Sequence, residues 1–283
     1  MGCNSRRKPD WLKIRLPKGQ LSVEVLNVVR GHNLHTICTS GMCPNQGECW
    51  GCGTATFMIC GDVCTRGCRF CNVKTGRPAP LDAGEPEHIA ESVRLLKLKH
   101  VVLTSVDRDD LEDLGAGHWV KVMEAVKRVN KEVTMEVLIP DFQGRKELIQ
   151  QVIDARPEVI SHNLETVRRL TPLIRSRATY EMSLEVVRQV AEAGVISKSG
   201  IMLGLGETRE EVLQTMDDLR SVGCRVMTIG QYLQPSAANV EVQEYVTPQV
   251  FDEYRQIGLE KGFAHVESGP LVRSSYHAER HIK

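Results

Sequence analysis

The sequence predicts an α/β fold, a partial (β/α)6 TIM-like barrel with N- and C-terminal extensions. Three observations predict it. Six short apolar or β-branched runs recur along the chain, amphipathic helical patterns separate them, and the far ends of the runs are polar. A strand followed by a helix, repeated in series, implies parallel pairing through right-handed crossovers. Six such units are two short of a closed eight-fold barrel. An open barrel is therefore expected, with its chemistry at the carboxyl ends of the strands.

The strand readings, in order, are "ATFMIC" (55–60), "HVVLTSV" (100–106), "VTMEVLIP" (133–140), "EVISHNLE" (158–165), "SKSGIMLGLG" (197–206) and "RVMTIGQYL" (225–233). Among the helices, 208–222 opens with Thr208 and Glu211 at capping-box spacing and stops before Gly223. Its Val212, Leu213, Met216 and Leu219 recur along one face. The stretch 181–193 ends at Gly194, and Thr247-Pro248 opens a helix over 248–261 with a cap and a proline at its first position. Polar residues gather at the strand ends: Thr104, Ser105 and Asp107; Pro140-Asp141; His162, Asn163 and Glu165; Gly204 to Glu207; Gln231. About half of these suit turns and helix caps, but their recurrence predicts one shared mouth. Residues 1–54 and 264–283 read as extensions on a single barrel spanning 55–263.

Lys+Arg and Asp+Glu are both 36, so no basic field draws nucleic acid or anionic lipid, and neither is expected as a partner. No apolar run approaches the roughly 20 residues that span a bilayer. The opening "MGCNSRRKPD" lacks an apolar core for secretion, and Arg6 breaks the myristoylation pattern, so a short disordered arm is expected there. These features make the expected location cytoplasmic.

Cysteine is the outlier. There are ten, and eight fall between residues 38 and 71. A small secreted domain would use that density for disulfides; a long chain in a reducing compartment uses it for metal. Cys38, Cys43 and Cys49 follow a C-x4-C-x5-C spacing, and Cys64, Cys68 and Cys71 a C-x3-C-x2-C spacing directly after the first predicted strand. Zinc ribbons pair C-x2-C knuckles to give four ligands per ion, and neither group supplies two knuckles. Two groups of three thiolates fit iron–sulfur clusters better, with zinc and unligated thiols as alternatives. A four-iron cluster on three thiolates keeps one iron open to another ligand, and an open position marks a catalytic metal.

The second triad, with Phe70 before its last cysteine, resembles the radical S-adenosylmethionine (SAM) superfamily. "CPNQGECW", "CTRGCRFCNV", "TSVDRDDL", "IPDFQG", "HNLETV", "KSGIMLGLGE", "GQYLQPS" and "ESGPLVRSSYHA" together resemble the lipoyl synthase family over about residues 10 to 278. "DLEDLGAGH" (110–118) and the spacer "TSGM" depart from its usual pattern. The resemblance implies a sulfurtransferase that inserts two sulfur atoms, at C6 and C8, into an octanoyl chain amide-linked to a lysine of a lipoyl carrier domain. Unactivated C–H bonds resist acid–base chemistry, so the cofactor carries the hard step.

It further implies two 4Fe–4S clusters and SAM. Cys64, Cys68 and Cys71 would hold the SAM-cleaving cluster. Cys38, Cys43 and Cys49 would hold an auxiliary cluster that is the sulfur source, closed by a serine of "RSSY", Ser274 or Ser275, with Ser275 favoured. Thr104, Ser105 and Asp107 are the expected contacts to the methionine part of SAM, and Asn163 and Glu165 to its ribose. Residues 204–207 resemble the region lining the adenine, although a glycine-rich turn is the simpler alternative. Arg273 is placed to orient cluster or substrate. An electron donor such as ferredoxin or flavodoxin and an iron–sulfur carrier are implied partners. Cys60 and Cys224 read as buried small hydrophobes, Cys52 and Cys3 as lying near the triads and in the arm, and His162 and His35 as scaffold residues. Two competing readings are another auxiliary-cluster radical SAM reaction and a zinc-stabilised binding module.

Overall fold

The computed structural model describes residues 8–13, 25, 27–29, 31, 32, 34–41, 43, 45, 46, 49 and 56–282. Cys3, Cys52 and Ala55 lie outside the described residues.

Ten strands are described: β1 (His35–Thr36), β2 (Thr56–Ile59), β3 (Val63–Cys64), β4 (Lys74–Thr75), β5 (His100–Ser105), β6 (Thr134–Leu138), β7 (Val159–Ser161), β8 (Ile196–Leu203), β9 (Val226–Gln231) and β10 (His265–Gly269). Eight form one sheet in the order β1-β2-β5-β6-β7-β8-β9-β10, and every pair except β1–β2 is parallel. The order has two ends, so the barrel is open among the described residues. The helices are α1 (Ile37–Ser40), α2 (Glu85–Leu95), α3 (Ala116–Val129), α4 (Lys146–Asp154), α5 (Thr171–Ile174), α6 (Tyr180–Glu192), α7 (Arg209–Ser221) and α8 (Pro248–Glu260).

All six expected strands are present. Three details differ from the sequence reading. The run 158–165 yields only three continuous strand residues, after which Glu165, with a φ of 69°, returns to β8 as an isolated bridge to Ile201. The sheet gains β10, which pairs with β9 inside the expected C-terminal extension, and the antiparallel β1. Both escape a pattern search: β1 has two residues, and Val266 is the one fully buried residue of β10. Thr247 precedes α8 without a side-chain cap bond, although Pro248 takes its first position as expected. The Thr208–Glu211 capping box of α7 forms in full.

Strand side chains alternate between two environments. Met135, Val137, Ile201, Leu203, Met227 and Ile229 pack outward among helix residues such as Val122, Val152, Val212 and Met216. Each fully buried aliphatic side chain contributes about 1.5–3 kcal/mol. The intervening residues face the barrel lumen, and there the sequence turns polar or small: Glu136, Lys198, Gly200, Thr228 and Gly230. A Cβ on Gly200 would overlap the Thr228 hydroxyl, and one on Gly230 the Val272 carbonyl oxygen. Glycine at these two places leaves the lumen open to the tail and to whatever binds there.

Candidate active site

The loop carrying the second triad is fixed at the end of β5. Thr65 donates N–H and hydroxyl to the Asp107 carbonyl at 3.1 and 2.9 Å, and its hydroxyl accepts from Asp109 N. β3 and β4 pair in parallel on either side of the loop. Backbone N–H groups of Arg66 and Asp107 reach Cys64 Sγ at 3.4 and 3.3 Å, and Val73 N reaches Cys71 Sγ at 3.4 Å. Such N–H···S contacts orient thiolates and tune a cluster's potential. Cys68, the outermost of the three, meets Ser176 Oγ at 3.6 Å.

Beneath the loop lies Arg66, its side chain only 4% exposed. It makes two bonds each to Asp109 (2.8 and 2.9 Å) and Asp141 (both 2.8 Å), with Asp107 at 3.4 Å. The planar fork of arginine suits paired carboxylates in this way. Burial raises the pKa of Asp107 and opposes ionisation of Asp141, but Arg66 wins at Asp141 and holds it at about 2. Burial also pushes the Cys64 thiol up to about 12, with Asp107 adding to it, and the Cys71 thiol up to about 11. Both keep their protons until a metal displaces them.

Above this base a cavity of about 270 Å³ opens at the strand ends. Its wall includes all three cysteines of the second triad, and Thr104, Ser105, Asp107, Asn163 and Glu165 stand around it with Asp141, His162, Arg175 and Ser274. The shared mouth expected from the polar strand ends is thus present. Ser105 Oγ and Asn163 Oδ1 are buried with no hydrogen-bond partner among the described residues. Buried polar atoms of that kind are costly unless a ligand satisfies them, so the pocket fits a polar cofactor such as SAM. His162 is a scaffold residue. Arg175 donates to Ser183 Oγ at 2.7 Å, Ser183 and His162 Nε2 are 2.9 Å apart, and His162 Nδ1 meets the Ile139 carbonyl at 2.9 Å. Burial, with Arg175 nearby, pushes the imidazole down to about 4, so it stays neutral.

Two other polar ends serve the backbone. Glu207 closes its own turn, accepting from Gly204 N and Leu205 N at 2.6 and 2.9 Å. Gln231 bonds the carbonyls of Leu203, Tyr232 and Glu244 and accepts from Val246 N, which holds the loop after β9.

The first triad sits beside this mouth. Cys38 lies in α1, capped by Thr36; Cys43 N reaches the Cys38 carbonyl at 3.0 Å and Cys49 N the Asn45 carbonyl at 2.9 Å. The first of these bonds holds Cys43 within a turn of Cys38. Asn72, next to Cys71, donates to the Ser40 carbonyl at 2.8 Å and ties the two triad loops. Between them a second cavity of about 320 Å³ is walled by Ile37, Phe70, Cys71, Met202, Tyr232, Leu233 and Arg273. The tail reaches the same place: Asn45 bonds the Leu271 carbonyl, and burial raises the Cys43 thiol although the Asn45 backbone N–H and, less, Arg273 oppose it. Ser274 lines the strand-end cavity, and Ser275 follows it, half-buried. No three His, Cys, Asp or Glu side chains among the described residues converge on a single ion site. Thiolates of a four-iron cluster each bind a different iron and do not require such convergence.

Sequence reasoning missed Arg66, Arg175 and the lumen pair Glu136–Lys198. A charge inside an apolar strand, as in "VTMEVL" and "SKSGIML", is the signal that would have found the pair. Cys60 and Cys224 are buried small side chains as expected.

Comparison with known proteins agrees with this architecture. The radical SAM superfamily model matches residues 58–219. The chain is 70% identical to a lipoyl synthase of Treponema denticola over 100% of this chain and 97% of that protein. It is 62% identical to one of Phocaeicola vulgatus over 99% of each. The crystal structure of methylornithine synthase superposes with a TM-score of 0.56 at 11% identity, covering 86% of this chain and 70% of that one, a likeness of fold. The chain therefore belongs to the lipoyl synthase family of the radical SAM superfamily, sulfur-inserting enzymes that use SAM and 4Fe–4S clusters and act on a protein-bound octanoyl chain.

Proposed function

We propose that the two cysteine triads divide the labour of sulfur insertion. Cys64, Cys68 and Cys71 hold the cluster that binds SAM; Cys38, Cys43 and Cys49, with Ser275, hold the cluster that gives up sulfur. The observation that supports this reading is that the second triad, Ile37 and Gly41 of the first-triad segment, and Arg273 and Ser274 of the tail line adjoining cavities at the strand ends. SAM on a reduced four-iron cluster supplies a radical able to abstract hydrogen from an unactivated C–H bond.

The chain's own residues do the rest. Thr104, Ser105 and Asp107 border the methionine part of SAM and Asn163 and Glu165 its ribose, with the unpartnered Ser105 Oγ and Asn163 Oδ1 offering bonds. Arg66 neutralises the carboxylates under the second triad and keeps its loop on β5. The apolar walls of Ile37, Phe70, Met202 and Leu233 suit an octanoyl chain lying between the triads. Ser275, an oxygen ligand, matches iron less well than a thiolate and eases release as sulfur leaves.

The substrate is an octanoylated lipoyl carrier domain, with ferredoxin or flavodoxin giving electrons and an iron–sulfur carrier rebuilding the auxiliary cluster. Residues 1–54 supply the first triad and β1, 55–263 the six expected strands of the barrel, and 264–283 the last strand β10 and the serine. No helix among the described residues is long and apolar enough to cross a membrane, and cytoplasmic action is part of the proposal. Anaerobic reconstitution followed by SAM, a reductant and an octanoyl-lysyl peptide tests it. Formation of 5′-deoxyadenosine with two sulfurs added to the peptide is expected. SAM cleavage with the peptide unchanged would point to another auxiliary-cluster reaction.

A further inference from the structure

Among the described residues, the most deeply buried charges lie away from the strand-end cavities. Lys198 on β8 and Glu136 on β6 pair at 2.8 and 2.9 Å in the lumen, with both side chains 0% exposed. Ser161 on β7 adds a hydroxyl to Glu136 at 2.9 Å. The remaining partner comes from the tail: His281 Nδ1 lies 3.2 Å from Lys198 Nζ, and its side chain is also 0% exposed. Burial keeps that imidazole neutral, so Nδ1 accepts from the ammonium.

The two ends of the tail are held at different depths of the barrel. β10 ends at Gly269 beside Gly230, near the mouth, and Leu271 and Ser274 lie there with the triads. Lys198 is the third residue of β8, near the opposite end of the strand. The chain therefore turns at 273–276, buries Ala278 and descends the lumen to His281, six residues after Ser275.

We propose that Glu136, Lys198 and His281 form a latch that anchors the tail in the barrel and so positions Ser275 at the first triad. They are positioning residues, and none of the three lines the strand-end cavities. The proposal rests on the reading of Ser275 as a ligand of the auxiliary cluster. A buried ion pair that lacked such a purpose could be replaced by apolar side chains at little cost to folding. Here the pair offers a directional donor, the Lys198 ammonium, that only a correctly docked tail meets with an acceptor.

The test compares His281→Ala, His281→Asn and Ser275→Ala with the parent chain. Hydrogen exchange is measured before cluster loading, and Mössbauer spectra and product ratios are measured after it. In His281→Ala, amides of 271–282 should exchange at least tenfold faster while those of α2, α3 and α7 keep their protection. The auxiliary cluster should lose its non-thiolate iron signature, as in Ser275→Ala, and 5′-deoxyadenosine should form without sulfur insertion. His281→Asn, which returns an acceptor near Nδ1, should restore all three readouts in part. Should His281→Ala not fold, the Glu136→Leu/Lys198→Met double variant removes the pair without stranding a charge and should loosen the tail equally. Unchanged tail exchange, or equal loss of protection across the barrel helices, overturns the latch. An unchanged Mössbauer spectrum in Ser275→Ala overturns the ligand reading instead, while the exchange data still decide the latch.

Discussion

Asn45 donates its side-chain amide to the Leu271 carbonyl at 2.6 Å, joining the segment of the first triad to a tail 226 residues later. The bond links two segments that share no strand, the ones that carry the proposed ligands of the auxiliary cluster. Asn45→Ala strands that carbonyl, at a cost of about 1–3 kcal/mol in holding the tail. Sulfur insertion should fall while SAM cleavage persists, which the ratio of 5′-deoxyadenosine to inserted sulfur reads directly.

Arg66→Met leaves Asp107, Asp109 and Asp141 without the cation that they share. Removing one partner of a buried network costs about 3–5 kcal/mol. Lysine, a point charge, cannot make four bonds to two carboxylates, so Arg66→Lys should recover only part of the loss. Urea denaturation and iron content of the reconstituted variants check both statements.

Gly230→Ala places a methyl group against the Val272 carbonyl oxygen, a backbone atom that cannot swing aside. The tail must shift, so the variant should retain its helical circular dichroism and its SAM cleavage and lose most sulfur insertion. Assay of both products, with the spectrum, tests it.

Acid should destabilise the chain in a defined window. Glu136 and Asp141 both ionise at about 2, below their ordinary values, because Lys198 and Arg66 outweigh the opposing effect of burial. A carboxylate with a lowered folded-state pKa contributes stability that is complete above its unfolded pKa, about 4, and is lost as pH falls toward the folded value. Buried His162, pushed down to about 4, adds a loss that begins below its unfolded value of about 6.5, so the urea midpoint should slope down from about pH 6.5 to 4 and drop further from about 4 to 2. In Glu136→Leu/Lys198→Met that drop should be shallower.

Much of the fold was legible because apolar runs and caps are local signals. "HVVLTSV" became β5, and Thr208 with Glu211 closed the box that starts α7. The candidate site was legible at its cysteines and strand ends for the same reason. What escaped is non-local. β10 shows one buried apolar residue, and its identity as a strand comes from pairing with β9. Glu136, Lys198 and His281 stand far apart in sequence, and only the lumen makes them neighbours. The segment 273–283 is mostly polar, yet Ala278 and His281 are buried, and the barrel, open among the described residues, has room for them.

The central claim is that the chain's own first-triad cluster supplies the sulfur. Protein reconstituted with heavy-isotope sulfide, then cleared of unbound sulfide, is given SAM, reductant and octanoyl-lysyl peptide in ordinary buffer, and the peptide's mass is measured. The account predicts a product carrying two heavy sulfur atoms, and none from a Cys38→Ala/Cys43→Ala/Cys49→Ala variant that still cleaves SAM. A product with light sulfur, or a variant that inserts heavy sulfur as well as the parent, would contradict it.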